Sequence, residues 1–455
     1  MPGRSNNSVG HRVLRAGLLA STAALSSISV SVPSVSAQTL QEQFDLLPPA
    51  ADPTRIEERV PALEAPDKDA GPIIDEPDDI EKPATAGGGR CTLNDVMFDG
   101  VTAYDTDALA DIAQEVVGTE VSISEVYEIA RLVTVRYRND GYILSRAIVP
   151  PQQIKDGKVK IRVLEGFVEN ITIDGTIRGD ADLLAAYALK IQEDRPLNSR
   201  TLERYLLLIN DLPGASARSV FVPSATTQGA SDLIIDMDHQ VFSAGASIDN
   251  RGTKFIGPLQ ITGYGGFNSI ARQWEQFRVR VLLTPDREEL LYLDSSLSFP
   301  VGSEGTLVNG SIAVSRSKPS NIALPVDGRV STLSIGVAHP LIRSRRENLI
   351  LRSAFVARTA KTDSDDIELL EDQTRTLRLG VTYDKTDRFG GVMIADVELS
   401  QGLNIGRGED ADQFPSRSDG RVDFTKAVVE IGRLQRIIPR LNLAASVRGQ
   451  YSPAG

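Results

Sequence analysis

Beyond His239 the chain repeats one pattern that leaves few folds open to it. Segments of about ten residues alternate apolar with polar side chains and are separated by Gly, Asn, Asp and Pro. Phe277, Val279, Val281 and Leu283 face one way while Arg278 and Arg280 face the other. Similar faces are Leu291, Leu293, Leu297 and Phe299; Leu377, Leu379, Val381 and Tyr383; and Met393, Ala395, Val397 and Leu399 against Asp396, Glu398 and Ser400. A period of two marks strands that bury one face only. Residues 240–455 hold about eleven such segments, each near the roughly nine to eleven residues that a tilted strand needs to cross a bilayer. A soluble β-sandwich shares this alternation. The regularity of the segments and the arginines on their polar face, where a water-filled lumen accepts them, favour a transmembrane antiparallel β-barrel. An aromatic content of 5% counts mildly the other way, because interface girdles are usually richer in rings.

The N-terminus speaks for export. Arg4, Arg12 and Arg15 precede a weakly apolar run over 16–35, and Val35, Ser36 and Ala37 form a small-residue cleavage site. Residues 1–37 therefore read as a secretory signal peptide cut after Ala37. No later run of about 18 apolar residues codes for a transmembrane helix. Residues 38–91 are rich in acid and proline and end near a run of three glycines, which predicts an extended linker. Within it Leu40, Phe44 and Leu47 recur at helical spacing and predict a short helix over 39–47.

At 455 residues the chain is long enough for several folding units. Its net charge of -12 argues against a nucleic-acid partner, since phosphate binding is driven by clustered Lys and Arg. The single cysteine, Cys91, excludes an intrachain disulfide.

Between the linker and the alternating segments lie two compact α+β units. Val96 and Phe98 predict a strand, and Leu109, Ile112 and Val116 a helical face that Gly118 ends. Ser122 with Glu125 three residues on is a capping box that opens a second helix, whose buried side carries Val126, Ile129, Val133 and Tyr137. Gly141 suits the left-handed position that stops it. Two strands follow, over 142–149 and 158–164, joined through Asp156 and Gly157. The order strand, helix, helix, strand, strand then recurs over about 75 residues: strand at Ile171 and Ile173, helices over 182–191 and 199–210, strands over 218–222 and 232–237. The boundaries are expected at 92–166 and 167–239.

Catalytic chemistry is poorly supplied. Of the three histidines, His11 leaves with the signal, and His239 and His339 sit apart from any metal-ligand spacing at expected strand ends or loop edges. No phosphate loop, nucleophile elbow or dinucleotide turn appears. The glycine-rich stretch from Gly263 to Gly266 falls in an expected strand, and Asp105 and Asp107 fit helix capping better than calcium binding. Neither enzymatic activity nor a metal or cofactor is expected.

Residues 131–175, RLVTVRYRNDGYILSRAIVPPQQIKDGKVKIRVLEGFVENITIDG, resemble the first periplasmic module of the two-partner secretion transporters, the hemolysin and filamentous-hemagglutinin exporters. The matching positions are Tyr137 with Arg138, Gly141 with Tyr142, Ala147 to Pro150 followed by Gln152 or Gln153, Asp156 with Gly157, and Val163 with Glu165 and Gly166. Further resemblance lies in RYLLLINDLPG at 204–214, IDNRG at 248–252 and HPLIRS at 339–344. It implies two POTRA domains in the periplasm, then an outer-membrane barrel of sixteen strands in the family. Eleven segments is fewer and odd, and no closing aromatic strand appears before Gly455, so a C-terminally incomplete sequence is expected. Val447, Arg448 and Gly449 are similar to the family's loop motif, but Gln450 follows where that motif has an aromatic ring, and the stretch fits a strand better.

The resemblance also implies the partners: outer-membrane lipid, and the N-terminal domain of a large secreted exoprotein of hemolysin or adhesin type. Strand addition to a module edge is the expected mode of capture, with Tyr142, Ile143, Ser145, Ala147, Val149 and Pro150 as candidates. Tyr137, Tyr142 and Val149 read equally well as core, and Gly141, Gly157 and Gly166 read better as turn positions than as contacts. The helix over 39–47 is expected to plug the barrel at rest. An outer-membrane protein assembly factor, which usually carries more POTRA copies, and a purely periplasmic binding module are the rival readings.

Overall fold

The computed structural model describes residues 89–453, apart from residue 366 and the segments 407–419 and 439–440. The expected signal peptide, most of the expected linker and the helix over 39–47 lie outside the described residues.

The first unit is built on a three-stranded sheet. Strand β1 (Arg90–Thr92) is followed by β2 (Asp95–Asp99), a 3-10 turn (Thr106–Leu109), the short helix α1 (Ala110–Gln114), β3 (Glu120–Ser122), α2 (Ile123–Asn139), β4 (Arg146–Ile148) and β5 (Lys158–Leu164). The sheet order is β2-β5-β4, with β2 parallel and β4 antiparallel to β5; β1 and β3 form a separate pair. The capping box is present: Glu125 N–H donates to Ser122 Oγ at 3.3 Å, and Ser122 N–H donates to Glu125 Oε2 at 2.5 Å. Two otherwise orphaned amides at the helix start are thereby satisfied. Val126, Ile129, Val133 and Tyr137 are all buried and pack on Val159, Ile161 and Val163. Helical and strand periodicities thus meet in one core.

The strand expected over 142–149 is shorter than its composition suggested: only Arg146–Ile148 pairs, and Tyr142 to Ser145 turn instead. Gly141, at φ 97°, reverses the chain so that Tyr142 N–H donates back to the Tyr137 carbonyl at 2.9 Å, and Ser145 N–H then donates to the Tyr142 carbonyl. The turn is held because it buries side chains in two directions. Tyr142 packs its ring edgewise on Tyr104 and Tyr137, while Ile143 and Leu144 reach the core of the next unit.

That second unit repeats the topology. Strand β6 (Phe167–Gly175), helices α3 (Ala181–Glu193) and α4 (Ser199–Asn210), and strands β7 (Ala215–Pro223) and β8 (Ala230–His239) form a sheet of order β6-β8-β7, with one parallel and one antiparallel pair.

The rest is a barrel-like antiparallel sheet of eleven strands, paired strictly in chain order: β9 (Phe242–Asp249), β10 (Gln260–Asn268), β11 (Gln276–Leu283), β12 (Leu291–Val301), β13 (Thr306–Ser317), β14 (Asp327–Arg343), β15 (Glu347–Ser364), β16 (Ile367–Thr386), β17 (Val392–Gly402), β18 (Thr425–Ile438) and β19 (Leu441–Tyr451). Register assigns the two faces. Phe277, Leu297, Ile335, Phe355, Leu377 and their neighbours share the apolar outward row, while Arg280 and Asp294 lie opposite each other on the inner face and form an ion pair at 2.9 Å. Arg352 and Asp396 make another inner pair at 2.5 Å. Charges are tolerated there because they are paired and face a polar lumen. His339 lies within β14 rather than at a loop edge, bonded through Nδ1 to Thr306 Oγ1 at 2.8 Å, and Arg448 lies within β19.

Candidate translocation and partner-binding site

Three short turns at one end of the large sheet dock on the second unit. Between β10 and β11, Trp274 enters that unit's core and is fully buried; its Nε1–H donates to the Asp180 carbonyl at 2.9 Å. Glu275 folds the turn by accepting from the Ala271 and Gln273 amides at 2.6 and 2.9 Å, and His239 packs edgewise on the indole. In the turn between β12 and β13, Glu304 receives Lys190 at 3.3 Å, Arg204 at 3.4 Å and the Tyr205 hydroxyl at 3.2 Å. Burial pushes the Glu304 carboxyl up, but these donors more than offset it and hold its pKa below the usual range. In the turn between β14 and β15, Arg343 grips Asp211 through Nε and Nη2, both at 2.6 Å, and Arg345 N–H donates to Glu203 at 2.8 Å. One aromatic plug and two charged clamps therefore fix the second unit at the sheet's mouth.

The motif residues of the first unit do two things: Tyr137 and Glu165 tie that unit together, and Gly141 and Gly166 join it to the second. Tyr137 is buried, and its hydroxyl donates to Glu165 Oε1 at 2.7 Å. The same carboxylate accepts from the Thr102 and Ala103 amides at 2.7 and 2.8 Å and from the Thr102 hydroxyl. Burial alone would push Glu165 up, yet this ring of donors holds its pKa below the ordinary carboxylate range. Burial, and then the carboxylate itself, push the Tyr137 phenol well up. The Gly141 carbonyl accepts from Ser199 N–H at 2.8 Å, and the Gly166 carbonyl accepts from Leu197 N–H at 2.9 Å. A side chain at Gly141 would collide with Asn198, in a backbone conformation that already favours glycine.

The candidate edge residues are divided by this geometry. Ser145 is fully buried, its Oγ accepting from Gly166 N–H at 3.0 Å; Ala147 is buried, its amide donating to Thr134 Oγ1 at 2.9 Å. Tyr142 and Ile143 belong to the joint, Val149 packs against the first core, and Pro150 follows the strand. Gln152, rather than Gln153, brackets Lys160, donating to its carbonyl at 2.7 Å and accepting from its amide at 2.8 Å. Asp156 and Gly157 turn at positive φ and take hydrogen bonds from Asn94, Asp95 and the Asn94 side chain.

A longer free edge lies in the second unit. Strand β7 pairs only with β8 among the described residues; on its other side the Asn210 side-chain amide accepts from the Ala217 N–H and donates to its carbonyl, and the Leu212 carbonyl accepts from the Ala215 N–H, so the open stretch of this edge runs over 219–223. On its outer face Val220 and Val222 are 55% and 41% exposed, with Ile234 opposite Val220. Such an edge is a template for another strand.

Two family models match this chain: a POTRA domain of ShlB type over residues 91–166, and the haemolysin secretion/activation protein ShlB/FhaC/HecB over residues 229–455. The chain belongs to the haemolysin secretion/activation family. Among its relatives, the heme/hemopexin transporter protein HuxB of Haemophilus influenzae (strain 86-028NP) is 30% identical over 179 residues, which cover 39% of this chain and 32% of that protein. The match thus spans about a third of the HuxB relative's length. The outer membrane transporter CdiB of Dickeya dadantii (strain 3937) is 23% identical over 80% of this chain and 66% of its own length. CdiB from Escherichia coli shares the fold, with a TM-score of 0.64 at 21% identity over 83% of this chain and 71% of that one. CdiB from Acinetobacter baumannii does so with a TM-score of 0.51 at 15% identity over 88% and 74%. Members of the haemolysin secretion/activation family are transporters. The eleven strands accordingly lie in the outer membrane, and the docked units mark its periplasmic side.

Two features were missed from sequence alone. The only tryptophan, set in a polar stretch between two strand patterns, was a signal that the turn is buried. The β7 edge carried no such signal, since edge position is a property of strand order.

Proposed function

We propose that this chain is the transporter half of a two-partner secretion pathway, which captures the N-terminal domain of a large secreted exoprotein in the periplasm and passes it through the barrel. The single observation behind this reading is the open edge of β7 over 219–223 on a unit clamped to the barrel's periplasmic mouth. An incoming strand would gain main-chain hydrogen bonds along β7 and cover Val220 and Val222 with alternate side chains. At the three-residue β4 edge the central amide, Ala147 N–H, is already taken by Thr134 Oγ1. The closely held second unit delivers the captured segment to the lumen, whose paired charges favour an extended polar chain over a folded apolar one.

Site-specific photocrosslinking tests this. In cells making the partner, crosslinkers at Val220 and Val222 are expected to trap it, and crosslinkers at the inward Ala217 and Ser219 are not. Uniform labelling of both sets, or none, counts against strand addition at β7.

A further inference from the structure

The ends of β13, β14 and β15 farthest from the periplasmic units carry a second chemistry on the outward face. Arg316 stands directly opposite Arg329 in register, and Arg329 directly opposite Lys361. All three share strand parity with the lipid-facing row: Val314 and Ile312 below Arg316, Leu333 and Ile335 below Arg329. Buried Gly328 and Val330 take the alternate positions. Three like charges side by side across neighbouring strands repel and weaken a sheet unless anions face them.

Four carboxylates of the chain, Asp327, Asp363, Glu368 and Glu371, lie against these three cations. Asp327 holds Arg316 at 2.5 Å and lies 3.6 Å from Arg329, Asp363 lies 3.9 Å from Arg329, and Glu371 holds Lys361 at 2.7 Å with Glu368 4.0 Å from it. The ion pairs of Arg329 are longer than hydrogen bonds, and the three cationic side chains remain 52%, 58% and 43% exposed. Donor capacity is therefore left over on the outward side. Asp327 and Asp363 lie on the loop side of Arg329 and Lys361; towards the membrane the next outward residues are Val314, Ser331 and Thr359.

Beside the cations a groove of about 410 Å³ opens over an apolar floor of Leu291, Leu293 and Val314. A free anion would gain nothing from such a floor, and a neutral lipid nothing from the cations. A ligand that satisfies both has a phosphorylated head and an acyl chain, and the end of the barrel away from the periplasm meets the outer leaflet. We propose that Arg316, Arg329 and Lys361 bind the phosphorylated headgroup of an outer-leaflet glycolipid whose acyl chain lies in the groove.

Native mass spectrometry of the full chain in detergent tests this with three probes: diphosphorylated lipid A, its dephosphorylated form with the same acyl chains, and inorganic pyrophosphate. The diphosphorylated lipid is expected to bind about ten-fold more tightly than the dephosphorylated one, as three partly neutralised surface cations would give. The triple variant R316Q/R329Q/K361Q should erase that difference, and pyrophosphate should not compete. Equal binding of the two lipids, an unchanged preference in the triple variant, or full competition by pyrophosphate would overturn the proposal. Should the triple variant fail to show the heat-modifiable gel migration of a folded barrel, two milder variants decide. R316K/R329K should keep the preference, and K361Q should reduce it; the reverse pattern refutes the site.

Discussion

Trp274 and Asp180 are 94 residues apart, yet the indole Nε1–H donates to the Asp180 carbonyl at 2.9 Å and the ring is wholly buried in the second periplasmic unit. A Cβ added at neighbouring Gly179 would come within 1.9 Å of the ring, so the plug needs a glycine wall. Because the chain has one tryptophan, emission excited selectively at the indole, beyond the absorption of the tyrosines, reports this contact alone. The emission of the intact chain is expected to be blue-shifted and shielded from acrylamide. Gly179→Ala should expel the ring, shift emission to the red and raise quenching several-fold. Losing a buried tryptophan contact costs about 3–5 kcal/mol, enough to undock the unit. An unchanged spectrum in Gly179→Ala would contradict the plug.

The charged clamps are expected to matter less. Partly exposed ion pairs contribute about 0.2–1 kcal/mol each, so Glu304→Gln, which weakens the contacts of Lys190 and Arg204, should raise Trp274 quenching only slightly. A larger effect than that of Gly179→Ala would mean that the clamps, not the plug, carry the docking.

How legible this was in sequence depended on the range of the forces. The second helix of the first unit is fixed by local rules: a capping box at Ser122, one apolar face and a left-handed glycine at its end, and it forms where they place it. The eleven strands followed from a period of two, because one face meets lipid and the other a lumen. The segment after Gly141 misled, since Tyr142, Ile143 and Leu144 have strand-like composition but are pulled to two different cores at a joint between units. Likewise the family motif was readable as a string while its purpose was not: Tyr137 and Glu165 bond within the first unit, whereas Gly141 and Gly166 find their partners, Ser199 and Leu197, only when the two units are stacked.

Glu165 gives the first unit a pH dependence. Its folded pKa lies below the ordinary 4.5, because donors from Thr102, Ala103 and Tyr137 outweigh burial. A depressed folded pKa contributes stability that is fully present above the unfolded value and is lost as pH falls through the folded one. Hydrogen exchange of the Thr102 and Ala103 amides, corrected for intrinsic rates, should therefore accelerate only below about pH 4.5. Glu165→Gln should remove the acid step and cost about 1–3 kcal/mol at neutral pH, as loss of hydrogen bonds to a charge does.

Ser122→Ala removes one half of the capping box and should destabilise the second helix of the first unit by about 1 kcal/mol. Faster amide exchange confined to its first turn would mark the effect; exchange spreading along the whole helix would assign Ser122 a larger role.

Transport itself is tested most directly by making this chain together with a large secreted protein encoded beside it and measuring that protein in the culture medium. The partner is expected in the medium with the intact chain, and in the periplasm when Val220 and Val222 are both replaced by lysine, which charges the β7 face while the barrel stays in the membrane. Undiminished release by that variant would contradict capture at β7. Release in the absence of the chain would contradict the transporter reading itself.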